Sequence, residues 1–101
     1  RSLADFFTER GVAFRYEAKL AINGKVYYPD FMILCDDGRI LIWEHFGLMD
    51  KEEYFISACR KLEQYRRAGY VQHSNLICTY EEDLRSGAVL EEILLRYELY
   101  S

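Results

Sequence analysis

Two carboxylates stand where buried strands ordinarily carry none. Asp30 follows Pro29 at the head of the apolar run Phe31–Leu34, and Glu44 sits near the tail of the run from Arg39 to Phe46. Asp37-Gly38 between the runs is a turn signal, and an antiparallel hairpin sets the head of one strand beside the tail of the other. The two acids are then expected to meet. Carboxylates held close in an apolar setting repel each other and lose hydration, so they take up a proton or are neutralised by a cation. Without a cluster of His or Cys, the pair suits Mg²⁺ (or Mn²⁺), which takes carboxylate oxygens, waters and phosphates, better than it suits zinc. The plainer alternative has Asp30 turning the chain after Pro29 and Glu44 paired to a surface Lys or Arg.

The elements that must position these acids follow from periodicity. Ser2 to Arg10 reads as a capped helix with Leu3, Phe6 and Phe7 on one face, stopped by Gly11. From Val12 the alternation is that of a half-buried strand, with Val12, Phe14, Tyr16 and Ala18 on one side and Ala13, Arg15, Glu17 and Lys19 on the other. Asn23-Gly24 turns the chain into a strand over Lys25–Leu34, and Asp37–Gly38 returns it as Arg39–Phe46, a three-stranded antiparallel meander. Asp50 and Glu53 form a capping-box pattern before a helix from about Lys51 to Ala68, with Phe55, Ala58, Cys59, Leu62 and Tyr65 as its expected buried stripe and Gly69 as its stop. A short buried strand, Ser74 to Tyr80, is reached by this helical crossover and is expected to lie parallel to a strand of the meander. Leu90, Ile93, Leu94 and Tyr97 close the chain with an amphipathic helix, giving the order αβββαβα in an α/β fold.

Residues 1–101, half of them hydrophobic, fit a single domain with its own core. The first residue is Arg1 rather than Met, as expected of a piece of a longer protein whose other domains would be partners. The lack of a signal-peptide pattern or bilayer-length apolar run predicts an intracellular, cytoplasmic chain without membrane association. Cys35, Cys59 and Cys78 lie singly in apolar segments and read as free, buried thiols. A net charge of −4 opposes a broadly basic nucleic-acid surface but allows a local patch at Arg60, Lys61, Arg66 and Arg67. His73 reads as a solvent-exposed loop residue. No Ser or Cys elbow supports metal-free nucleophilic chemistry.

The αβββαβ order, with an acid on the first strand (Glu17), Pro29-Asp30 opening the second and Glu44 near the end of the third, resembles the PD-(D/E)xK, or restriction-endonuclease-like, nuclease superfamily. The resemblance runs from Ser2 to about Tyr80. Trp43-Glu44-His45-Phe46-Gly47 before a helix is similar to a subset found as domains of bacterial proteins. It implies a Mg²⁺-dependent DNA nuclease in which Asp30, Glu44 and the backbone carbonyl of His45 hold the metal and Glu17 helps hold a second ion or its waters. The family pattern asks for Glu-x-Lys, and here Phe46 occupies the lysine position. Lys61 on the long helix is the expected replacement, steering or deprotonating the attacking water, and Lys19, two residues after Glu17, is the rival. Gln64 and Tyr54 are expected near the same rim as substrate-positioning residues. The His45 side chain is expected on the sheet face opposite Glu44. The missing Glu-x-Lys lysine and the acidic charge also leave open an inactive fold of this type serving as a nucleic-acid or protein interaction module.

Overall fold

The computed structural model describes residues 2–100. Helix α1 (Leu3–Glu9) is capped by the Ser2 hydroxyl, which accepts the Asp5 N–H at 3.1 Å, and it buries Leu3, Phe6 and Phe7. Gly11, at φ 69°, turns the chain out of the helix in a conformation that glycine adopts without steric cost.

The expected meander is present but divided. Strand β1 spans only Phe14–Tyr16, because Glu17 adopts a left-handed φ of 49°. Strands β2 (Leu20–Ile22) and β3 (Lys25–Tyr27) form their own two-stranded sheet around Asn23-Gly24, both at positive φ as a primed hairpin turn requires. Pro29, which has no N–H to give to a ladder, separates β3 from β4 (Phe31–Leu34). The strand expected over Val12–Lys19 is thus shortened to three residues and the one over Lys25–Leu34 is broken in two, and β1 pairs with β4 through Phe14↔Ile33, Arg15↔Met32 and Tyr16↔Phe31.

Strand β5 (Ile40–Phe46) returns antiparallel to β4, with Phe31↔Trp43 and Ile33↔Leu41. Strand β6 (Leu76–Tyr80) lies parallel to β5, so the main sheet is mixed, in the order β1-β4-β5-β6. Between them runs α2 (Glu52–Arg67). Its N-cap is Lys51 with no side-chain cap bond, so the expected Asp50/Glu53 capping box does not form. The expected stripe is also shifted: Ala58 and Tyr65 are buried, whereas Phe55 is 49% exposed and Cys59 faces solvent. The physical cause is that the sheet-facing side of α2 carries the polar residues Tyr54, Ser57 and Lys61, which disguise it in a hydrophobic pattern. The turn out of α2 is clasped by Asn75, whose Oδ1 accepts the Val71 N–H at 2.8 Å and whose Nδ2 donates to the Gly69 carbonyl at 3.0 Å. Asn75→Ala is expected to lower stability by about 1–2 kcal/mol in urea titrations, the net worth of two such bonds. A 3-10 segment (Glu81–Arg85) absent from the sequence expectation leads into α3 (Gly87–Arg96), capped by Ser86.

The main sheet has different surroundings on its two faces. Phe31, Ile33, Leu41, Trp43 and Ile77 pack with residues of α1 and α3 in an aromatic-rich core, where the rings of Phe7 and Trp43 meet edge-on at 4.8 Å. The other face carries Ile42 and Leu76 against Tyr65 of α2, joined by Leu20 and Tyr27 of the small hairpin. Each large side chain so buried contributes about 1.5–3 kcal/mol. This rigid base fixes β5 in the sheet centre. Among the described residues no helix is long and apolar enough to cross a membrane.

Candidate active site

The β4–β5 register sets the site. Phe31 faces Trp43, and one further step of the same antiparallel pairing brings Asp30 opposite Glu44. Asp30 is fixed by the backbone on both sides: its carbonyl accepts the Glu17 N–H at 3.0 Å, and its Oδ2 accepts the His45 N–H at 2.8 Å. Glu44 is 1% exposed, a carboxylate buried in a central strand. Its Oε2 accepts from Lys61 Nζ at 3.0 Å and its Oε1 from the Tyr65 hydroxyl at 2.5 Å. Lys61 and Tyr65 are one turn apart on α2, which is why one helix face can serve both oxygens.

Burial, and after it hydrogen bonding to the neighbouring Asp30, pushes the Glu44 carboxyl up to about 7, against the opposing pull of Tyr65 and Lys61. Tyr65 is held well above the ordinary phenol range by its own burial and by Glu44, so it stays a donor. Asp30, Glu44, His45, Phe46, Tyr54, Ser57, Ala58 and Lys61 line a cavity of about 150 Å³ between β5 and α2.

The chemistry of this donor set is that of a site with one positive charge too few. Asp30 and Glu44 stand side by side with one ammonium, that of Lys61, bonded to Glu44, and the buried Glu44 still retains a proton near neutrality. A hard divalent ion would supply the missing charge, and all-oxygen donors fit it. No group of three or more His, Cys, Asp or Glu side chains converges among the described residues. The remaining ligands would therefore be backbone carbonyl and water, an arrangement Mg²⁺ tolerates because it keeps several waters.

Not every expected residue reaches this cavity. Tyr54 lines it; Glu17, Lys19 and Gln64 are exposed and do not. Glu17 contributes through its backbone N–H to Asp30, while its carboxylate raises the neighbouring Tyr16 phenol above its ordinary range. Phe46, in the expected lysine position, is buried and walls the cavity beside Tyr80, with ring centroids 6.0 Å apart. The basic patch is largely engaged elsewhere, since Arg66 and Arg67 both pair with Glu63. His73 is exposed, as expected. The cysteines are free, but Cys59 is exposed and Cys35 and Cys78 are only half-buried, which corrects the expectation of three buried thiols. Burial pushes the Cys78 thiol up to about 12 and leaves it inert.

The His45 ring lies across the sheet from Glu44, as strand alternation requires. Its Nδ1 is 2.9 Å from the Thr79 hydroxyl and its Nε2 3.0 Å from Glu81 Oε1. Thr79 Oγ1 also accepts the Trp43 indole N–H at 2.9 Å, so the buried core grips the ring whose own backbone N–H orients Asp30. Sequence reasoning missed Tyr65 as a partner of Glu44, along with Thr79 and Glu81 as supports of His45. A signal for Tyr65 was available, because a tyrosine in a buried stripe needs a partner for its hydroxyl. Comparisons of the chain with protein-family models, with curated proteins and with solved structures find no match.

Proposed function

We propose that this chain is a Mg²⁺-dependent nuclease domain that hydrolyses phosphodiester bonds of DNA, on a restriction-endonuclease-like fold. The observation that carries the reading is the convergence of Asp30, Glu44 and Lys61 on one cavity from the start of β4, the end of β5 and the middle of α2. Set aside the β2–β3 hairpin and the order of elements is αβββαβ, with the last strand parallel to β5. The order is the one the PD-(D/E)xK resemblance asks for, and the reading takes the lysine from the helix.

In this reading Asp30, Glu44 and the His45 backbone carbonyl hold the ion. When bound, the ion would supply an activated water and charge relief on the phosphate oxygens. Lys61 offsets phosphate charge and orients the attacking water from the helix side. Its side chain is 38% exposed, so its ammonium remains accessible to an arriving substrate. Tyr65 fixes one Glu44 oxygen and the His45 N–H fixes one of Asp30, so both acids keep their orientation without substrate. Tyr54 borders the same opening and is available to a phosphate or sugar oxygen.

The test is nicking of supercoiled plasmid by the purified chain in Mg²⁺ or Mn²⁺. Cleavage is expected to stop in EDTA and in Asp30→Ala, with the circular dichroism spectrum of that variant unchanged. Cleavage surviving in Asp30→Ala would refute the assignment. A chain that never nicks, yet binds nucleic acid or protein, would instead be an interaction module on the same fold.

A further inference from the structure

A second cavity, of about 400 Å³, opens on the other side of Asp30, lined by Ser2, Leu3, Tyr16, Phe31, His45 and Glu81 among others. Asp30 and His45 line both cavities, so a ligand could occupy the two together. The contents of the second differ from the first. Its aromatic wall is Tyr16, 61% exposed despite lying on a sheet strand, with Phe31 beside it at a centroid distance of 5.3 Å. The Tyr16 hydroxyl is held above its ordinary range by the neighbouring Glu17 carboxylate, so the ring stays neutral. The charged groups lining it are the carboxylates of Asp30 and Glu81, and among the described residues lining it there is no Lys or Arg. Such a lining disfavours a phosphate. It suits a flat, neutral ring carrying N–H donors, because a carboxylate has lone pairs for several hydrogen bonds and Glu81 uses Oε1 for His45.

We propose that this cavity receives an unpaired nucleobase of the substrate, stacked on Tyr16 with its exocyclic amine toward Glu81, and that the enzyme's substrate class is therefore single-stranded nucleic acid. The proposal rests on the nuclease reading in assigning the adjoining Asp30–Lys61 cleft to the phosphate. A base inside a duplex is stacked on both faces and cannot reach Tyr16 without leaving the helix.

The experiment is fluorescence anisotropy of labelled oligo(dC), oligo(dT) and a duplex with the 101-residue chain in EDTA, where nothing is cleaved. Single strands are expected to bind more tightly than the duplex, and oligo(dC), which has the amine, more tightly than oligo(dT). Tyr16→Ala is expected to weaken single-strand binding about tenfold or more, the worth of one stacked base, while Tyr16→Phe retains it. Glu81→Ala is expected to erase the preference for oligo(dC). Equal binding of duplex and single strand, no binding at all, or binding indifferent to Tyr16→Ala overturns the proposal. Because the assay needs no catalysis, the two readings fail separately. Tyr16-dependent binding by a chain that in Mg²⁺ or Mn²⁺ cleaves neither plasmid nor single-stranded circular DNA sinks the nuclease reading alone. Asp30-dependent nicking with Tyr16-independent binding sinks this one alone.

Discussion

Glu44→Gln is expected to make the metal-free protein more stable at pH 8 and to remove cleavage at the same time. The folded-state carboxyl is raised to about 7 from its ordinary value of 4.5. Below 4.5 both folded and unfolded chains hold the proton and the group has no effect. Between 4.5 and 7 the unfolded chain has released it and the folded chain has not, so stability falls with rising pH. Above the folded value the loss is complete, up to about 3 kcal/mol for a shift of this size. Glutamine has the same shape and no charge to bury, and its carbonyl can still accept from Tyr65. Urea titrations in EDTA should show wild type losing stability between pH 4.5 and 8 while Glu44→Gln does not. Mg²⁺ should then raise the melting temperature of wild type at pH 8, since a ligand bound only by the folded state stabilises it, and leave the variant unmoved. Nicking should fall by about a thousandfold or more, as expected when a charge-stabilising ligand set loses its central member. Parallel pH dependences for the two proteins would show that Glu44 is not the titrating group. A variant that stays active would remove it from the chemistry. Opposite signs for stability and activity are what a site built on unrelieved charge predicts.

What could be read in advance divides along a physical line. The pairing of Asp30 with Glu44 was legible because it depends on one turn and strand alternation, and Asp37-Gly38 fixes the β4–β5 register directly. The parallel approach of β6 to β5 followed from the helical crossover in the same way. The break at Glu17 was not legible, since a left-handed glutamate has no local signature and alternation continues past it to Lys19. Nor was the true face of α2. Hydrophobic periodicity finds the side of a helix that meets an apolar surface, and this helix meets a sheet carrying a carboxylate, so Lys61 belongs to the packed face and Phe55 does not. The buried carboxylate itself therefore distorted the hydrophobic pattern of the helix that packs on it.

That same helix face decides the lysine. Lys61→Met, which keeps most of the aliphatic stem and removes the charge, is expected to lower the cleavage rate by about 10²–10⁴-fold, the range for loss of a group that handles the reacting proton. Lys19→Ala is expected to cleave like wild type, because Lys19 is exposed and lies outside the cavity that Lys61 lines. The reason lies in Phe46. Its ring occupies the position two residues after Glu44, so a cation can reach the buried carboxylate from α2 and not from β5. Removing that cation also leaves Glu44 with Tyr65 alone on its donor side, apart from the repelling Asp30. Lys61→Met should consequently be less stable than wild type at pH 8 and nearly equal to it below pH 4.5, where Glu44 is protonated in both states. Stopped-time nicking assays and urea titrations at the two pH values measure both effects on the same preparations. Loss of cleavage in Lys19→Ala with activity retained in Lys61→Met would reverse the assignment. Loss in Lys61→Met with the Mg²⁺-induced rise in melting temperature intact would separate the lysine's part in the chemistry from the carboxylates' part in binding the ion.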